Sequence, residues 1–298
     1  MSPQVSGQAF LEPLLKVGLT AGTWYALRAV LSRSVEELAE RRFGYGKDGI
    51  VSGAGEIRLE AGDKSVLLLH GFGDTPQSLA FIAGFLHSHG WTVRVPLLPG
   101  HGRTLRAFAR SSAECWLAEA RASWEQLLGR GGRVALVGQS MGGALAALLA
   151  ADGTPPPSAL VLLAPYLFPP RSVRVLARSS PVLRILSPYV PSASRASIEN
   201  PVARGESLGH RFTPLRLLPE LCRLADMASA ALPRITSPTL LIQSLRDNRL
   251  SQAGAERAIA LLGAADKKLE WVEGGHVVSV DSARALVAQA ALEWLDRH

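Results

Sequence analysis

From about residue 55 to the end of the chain, short apolar runs alternate with longer segments of helical period. The runs at 66–69, 92–95, 134–137, 160–163, 239–243 and 269–272 read as strands, and 77–88, 112–128, 141–151, 252–262 and 282–296 read as helices. Strand and helix in alternation predict an α/β fold, a mostly parallel sheet covered on both faces. The stretch 165–233 breaks this rhythm with prolines at 169, 170, 181, 188, 191, 201, 214 and 219, and it is too long for a simple connection. It predicts a helical excursion over the carboxyl edge of the sheet, which would act as a lid. Ahead of the alternating region, 10–31 is apolar but interrupted by Glu12, Pro13, Lys16 and Arg28, 34–42 is charged and helix-like, and 43–55 is glycine-rich. The expected organisation is a helical arm and linker over 1–54, a core made of 55–164 and 235–298, and a cap over 165–234.

Composition narrows the function classes. A chain of 298 residues with 47% apolar content can bury a full core. Its 32 basic and 25 acidic residues leave a net charge of +7, but the arginines are scattered and no basic run is interleaved with aromatics, so nucleic-acid binding is not expected. Cys115 and Cys222 are isolated, without the spacing of a disulfide framework or a zinc site, which fits a reducing, cytoplasmic setting. Residues 134–151 carry no charge, yet Gly138-Gln-Ser-Met-Gly-Gly143 marks a turn between two shorter elements rather than a membrane span. The arm lacks the basic leader of a signal peptide and reads first as a packed or partner-facing helix, second as a membrane-surface anchor. Arg171, Arg174 and Arg178 recur at helical spacing and would form a basic stripe on the lid, read first as a solvated face and second as a contact for anionic lipid.

The chemistry concentrates where Val134-Ala-Leu-Val137 meets the alanine-rich helix through Gly138-Gln-Ser140-Met-Gly142. A serine nucleophile must stand clear of the backbone, and a strand-to-helix turn achieves this only if its flanking positions lack clashing side chains. Such a hydroxyl also needs an imidazole to take its proton and a carboxylate to orient that ring. Groups that act on a ligand in a sheet of this type lie just beyond strand ends. His276 follows the run 269–272 and Asp247 follows the run 239–243, both at strand exits. Asp281 is the main rival for the carboxylate, with Asp226 and Asp266 weaker, and His70 is a minor rival for the base. The expected oxyanion donors are the amides of Met141 and Phe72, with the Phe72 ring walling an acyl pocket. No histidine has metal-ligand spacing with a carboxylate, and the chemistry requires no cofactor.

His70-Gly-Phe-Gly73, Leu98-Pro-Gly-His-Gly102, Gly138-Gln-Ser-Met-Gly-Gly143, Asp247 and Gly275-His276-Val-Val-Ser-Val-Asp281 together resemble the α/β-hydrolase superfamily. Within it they are most similar to bacterial carboxylesterases and monoacylglycerol lipases. The resemblance spans about 55–297 and implies a sheet of about eight strands, a Ser140–His276–Asp247 triad and a cap over an acyl pocket. Its expected substrate is a small-molecule ester or single-chain lipid. Lysophospholipase, thioesterase and acyltransferase chemistry would use the same parts, and a non-catalytic member of the fold is the distant alternative. Residues 1–54 have no counterpart in the resemblance, and the sequence leaves the oligomeric state open.

Overall fold

The computed structural model describes residues 8–153, 155–192 and 195–298, so the first seven residues of the arm lie outside the described residues. In chain order the elements are α1 (Gln8–Glu40), β1 (Ile57–Leu59), β2 (Ser65–Leu69), α2 (Ala80–Ser88), β3 (Thr92–Val95), α3 (Leu105–Arg110), α4 (Ala113–Leu128), β4 (Val134–Gln139), α5 (Met141–Asp152), β5 (Leu160–Leu163), α6 (Arg171–Leu186), β6 (Tyr189–Pro191), α7 (Pro201–Glu206), β7 (Phe212–Pro214), α8 (Leu217–Ala231), β8 (Thr239–Ser244), α9 (Gln252–Leu261), β9 (Lys267–Val272) and α10 (Arg284–Arg297).

The central strands β2, β4, β5 and β8 are largely apolar because each is buried on both faces. Leu67, Leu69, Leu136, Leu160, Leu162 and Leu241 enter one core cluster, with side chains from α4, α5, α8 and α9. Their alternates Val66, Leu68, Val137, Val161, Leu163 and Ile242 enter a second, with α2 and α10. The period of two thus delivers one strand to two cores, each fully buried leucine or isoleucine contributing roughly 1.5–3 kcal/mol. The strand order is β1-β3-β2-β4-β5-β8-β9, and only β1 runs antiparallel to its neighbour. Among the described residues the sheet therefore has seven strands where the resemblance implied about eight. In place of a further strand ahead of β1, Tyr45 and Val51 make an isolated bridge, and the Val51 amide donates to the Gly102 carbonyl at 2.7 Å.

Two departures from the sequence reading concern the flanks. The segments expected as two helices, 10–31 and 34–42, form the single helix α1, because Ser34 turns its hydroxyl back to the Val30 carbonyl instead of breaking the helix. Only its end packs. Ala39 is buried and Glu40 accepts the Leu105 amide, whereas Tyr25, Leu27, Val30 and Leu31 are each half exposed or more. The glycine-rich loop that follows is anchored by buried Val51 and Ala54.

The proline-rich stretch holds α6, α7, α8 and the two-stranded ribbon of β6 and β7. Of these, α8 lies in the helical layer, with Leu217, Leu221, Leu224 and Ala228 in the first core cluster. No helix among the described residues is long and apolar enough to cross a membrane.

Candidate active site

Between the last residue of β4 and the first of α5 stands one residue, Ser140, at φ 54° and ψ −116°. A side-chain-bearing residue in that region costs on the order of 1–3 kcal/mol, held here by the surrounding contacts. The Ser140 amide donates to the Leu163 carbonyl, and its own carbonyl accepts the Tyr166 amide, both at 2.9 Å. The flanking glycines are obligatory. A Cβ on Gly138 would lie 2.3 Å from the Gly142 carbonyl oxygen, and one on Gly142 would lie 2.0 Å from the Leu69 carbonyl oxygen. Backbone meets backbone at both contacts, so neither can yield.

The fold brings the other two predicted side chains to this serine. His276 Nε2 is 2.8 Å from Ser140 Oγ, and His276 Nδ1 is 2.7 Å from Asp247 Oδ2. Asp247 leaves β8 in a turn in which its Oδ1 accepts the amides of Arg249 and Leu250, while Gln243 Nε2 donates to Oδ2 at 2.6 Å. Burial raises its carboxyl, but His276 and the two amides outweigh that and hold it below the usual carboxylate range. Asp281, the rival, does different work. It accepts the amides of Gly275, Glu199, Asn200 and Ser282 at 2.7–3.0 Å, tying the histidine loop to the segment that precedes α7. Burial again raises its carboxyl, and the four amides bring it below the usual value. Asp226 is engaged with Arg174, and Asp266 lies by His298 at the surface.

The loop after β2 approaches the serine closely: a Cβ on Gly71 would lie 3.4 Å from Ser140 Cβ. Phe72 follows it and lines the cavity, while its ring packs on Phe108, Trp116 and His101 at centroid distances of 5.1, 5.8 and 6.5 Å. The ring therefore belongs as much to an aromatic cluster under the loop as to a pocket wall. His70 serves as a brace. Its Nε2 accepts the Leu98 amide at 3.2 Å and its Nδ1 donates to the Gly71 carbonyl at 3.0 Å. His101 and His210 are both buried against Phe108, the latter stacked at 4.7 Å.

Burial pushes His70 and His210 down to about 4 and His101 well below its ordinary value, so all three are neutral in the folded protein. The unfolded chain takes up these protons near pH 6.5. Stability is therefore complete above that pH and declines as the pH falls from about 6.5 toward 4, by about 2 kcal/mol each for His70 and His210 at pH 5, with His101 acting in the same direction. Asp74, raised to about 6, works in the opposite direction and returns about 1 kcal/mol over the same interval. Unfolding free energies from urea titrations at pH 7.5 and pH 5 should differ by several kcal/mol in favour of the former, with a higher midpoint at pH 7.5. Equal midpoints would contradict the buried, neutral state of the three rings.

Ser140 and His276 open into a cavity of about 300 Å³. Asp74, Gln77 and Ser78, from the loop carrying Phe72, make a polar wall, and Val173, Leu218 and Leu221 from α6 and α8 make an apolar one. Ser279 Oγ lies buried on this cavity with no hydrogen-bond partner among the described residues. Sequence reasoning missed Asp74 and Arg249, both lining residues. Asp74 stands one position beyond the His-Gly-Phe-Gly motif and Arg249 two beyond Asp247, so proximity to the motifs was the available signal. The expected basic stripe is broken at its centre: Arg174 pairs with Asp226 through two hydrogen bonds, leaving Arg171 and Arg178 exposed. Among the described residues no group of three or more His, Cys, Asp or Glu side chains is placed to hold a metal.

A serine on a strand-to-helix turn, with an imidazole and a carboxylate from two further strand ends of a mostly parallel sheet, defines an α/β-hydrolase-fold protein. The model of the family described as serine aminopeptidase, S33, matches residues 60–278, and the chain belongs to that family. It is 27% identical to a thermostable monoacylglycerol lipase of Bacillus sp. (strain H-257) over 255 residues, covering 84% of this chain and 97% of the relative. It is 28% identical to a carboxylesterase of Bacillus subtilis (strain 168) over 244 residues, covering 80% and 95%. Among solved structures it resembles one from work on LipS and LipT, two metagenome-derived lipolytic enzymes, with a TM-score of 0.77, 27% identity and coverage of 83% and 98%. A monoacylglycerol lipase of Paleococcus ferrophilus shares the fold at a TM-score of 0.71 and 22% identity, covering 82% and 98%.

Proposed function

We propose that this carboxylic ester hydrolase cleaves short- or medium-chain acyl esters or monoacylglycerols through an acyl-enzyme on Ser140. The relay of 2.8 Å and 2.7 Å from Ser140 Oγ through His276 to Asp247 carries the reading. Ser140 Oγ attacks the acyl carbonyl while His276 Nε2 takes its proton, and Asp247 stabilises the imidazolium that results. The negative oxygen is held by the amides of Phe72 and Met141, the second at the positive end of α5. On collapse the ester C–O bond breaks and His276 returns the proton to the departing alcohol. Water then enters, loses a proton to His276, and releases the carboxylic acid and the free serine.

The substrate class is supported by the two walls of the cavity and by the names of the relatives, a monoacylglycerol lipase and a carboxylesterase. The apolar wall suits an acyl chain, and Asp74 with Gln77 and Ser78 offers partners for alcohol hydroxyls. Residues 165–170, α6, the β6–β7 ribbon and α7 act as the cap of such a site. A lysophospholipase or thioesterase would run through the same steps with a different leaving group. Treatment with a fluorophosphonate followed by mass spectrometry should place one adduct on Ser140, together with turnover of p-nitrophenyl butyrate. A folded sample left unmodified at residue 140 would end the nucleophile assignment.

The two cysteines are free, which agrees with a reducing, cytoplasmic setting. The arm touches lipid weakly: Tyr25, Leu27, Val30 and Leu31 are exposed, and residues 13–35 carry Lys16, Arg28 and Arg33 but no acidic residue. The full chain should therefore float with vesicles containing phosphatidylglycerol more than with phosphatidylcholine alone. Indifference to vesicle charge would remove this contact, and a concentration-dependent dimer without flotation would assign the exposed face to a second copy.

A further inference from the structure

Arg249 is a charged group in the cavity whose chemistry the hydrolytic cycle leaves unused and whose side-chain bonding, among the described residues, is incomplete. It lies two residues beyond Asp247 and lines the same cavity as Ser140 and His276, beside Tyr166. Its backbone amide donates to Asp247 Oδ1 at 2.7 Å, and its Nε donates to Ser197 Oγ at 2.8 Å. These two bonds fix where the chain leaves the triad and which way the guanidinium plane faces. Among the described residues, no carboxylate and no other acceptor meets the N–H groups of its Nη1 and Nη2.

Two nearby arginines are paired with carboxylates, whereas Arg284, on the same cavity, lies over the Phe81 ring. Arg246 pairs with Glu199 and Glu273, and Arg174 pairs with Asp226. Burial pulls the Arg249 guanidinium below its ordinary value, with Tyr166 and Asp247 offsetting only part of the effect. Arg249 is half-buried, so its Nη donors stand open to the cavity and are available to an acceptor that enters it. A planar fork with free donors matches the two oxygens of a carboxylate or phosphate.

We propose that Arg249 is a specificity-determining residue that binds an oxyanionic group, carboxylate or phosphate, carried by the ester substrate. The inference rests on the ester-hydrolase reading of Ser140 and narrows its substrate class to esters bearing such a group. Nε, occupied by Ser197, sets the orientation, and the two Nη groups make the paired contact. The anion can belong to either half of the ester, a dicarboxylic acid monoester or a phosphorylated acylglycerol. Both present the same chemistry to the guanidinium.

Two measurements test it, one of which needs no turnover. In the first, kcat/KM is compared for mono-p-nitrophenyl glutarate against p-nitrophenyl pentanoate, and for 1-octanoyl-glycerol 3-phosphate against 1-octanoyl-glycerol, in the wild type and in Arg249→Met and Arg249→Lys. The anion-to-neutral ratio of at least one pair should exceed unity in the wild type and fall by about 10- to 100-fold in Arg249→Met, with Arg249→Lys between. Which pair responds identifies the half of the ester that carries the anion. In the second, calorimetry with octyl phosphate and with the neutral ether 1-octylglycerol should show the phosphate losing at least about ten-fold more affinity than the ether in Arg249→Met.

Equal losses for charged and neutral ligands would reduce Arg249 to a packing role and overturn the proposal. So would wild-type protein with no preference for the anion in either assay, a result that needs no folded variant. If no ester turns over while octyl phosphate still binds through Arg249, the ester reading fails and the anion site stands.

Discussion

Replacing Ser140 by alanine should lower kcat on p-nitrophenyl butyrate by about 10⁶-fold, with His276→Ala nearly as severe and the double variant little worse than either. The near-absence of additivity is the diagnostic part. The hydroxyl and the imidazole, 2.8 Å apart, act as one proton-transfer unit, so removing either forfeits what the other contributes. The activity that remains would come from the oxyanion donors and from binding, neither of which the substitutions touch. Stability should change little, because alanine keeps the same Cβ in the same backbone conformation and, among the described residues, the Ser140 side chain bonds only to His276. Stopped-flow and steady-state kinetics on the three variants, with urea unfolding as a control, would settle the matter. A Ser140→Ala enzyme with more than about a hundredth of wild-type turnover would sink the mechanism.

The second large effect separates two aspartates that the sequence could rank but not resolve. Asp247→Asn should reduce kcat by about 10⁴-fold in a folded protein, because an amide at that position favours the wrong tautomer of His276 and leaves its cation without a counter-charge. Asp281→Asn should act through stability. It replaces a carboxylate that accepts four backbone amides, and bonds to a charged acceptor contribute about 1.5–3 kcal/mol each before non-additivity. A lowered urea midpoint with kcat within about ten-fold of the wild type is therefore the expected result at 281. The reverse pattern, a lost turnover at 281 and an active enzyme at 247, would exchange the two roles.

The positions of Ser140, His276 and Asp247 were legible because each obeys a local rule: a glycine-bounded turn for the first, a strand exit for the other two. The same logic placed five of the seven strands of the sheet within a residue or two of 66–69, 92–95, 134–137, 160–163 and 239–243, and the sixth, β9, two residues later than its start. The strand it missed, β1, is three residues of half-exposed edge, where one face alone needs apolar side chains and the pattern is too short to register. The arm reads as a packed or partner-facing helix. Its end packs, with Val35 against the core and Ala39 buried, while Tyr25, Leu27, Val30 and Leu31 leave an exposed face whose role the local pattern does not decide.

By itself, then, the sequence determined the alternation of elements, the two-faced burial of the strands, and the backbone turn that can hold a serine nucleophile. Each depends on neighbours within a few positions, where spacing along the chain and distance in space are nearly the same thing. What the tertiary structure alone decided was which aspartate reaches the imidazole, which histidines are sealed neutral under the loop, and that Arg249 faces the cavity with no acid among the described residues to meet its Nη groups. Those outcomes turn on residues 29 to 136 positions apart being brought within about 3 Å, and on which acceptors fail to arrive. No local periodicity encodes an absence, so an unpaired charge becomes visible only once everything around it has been placed.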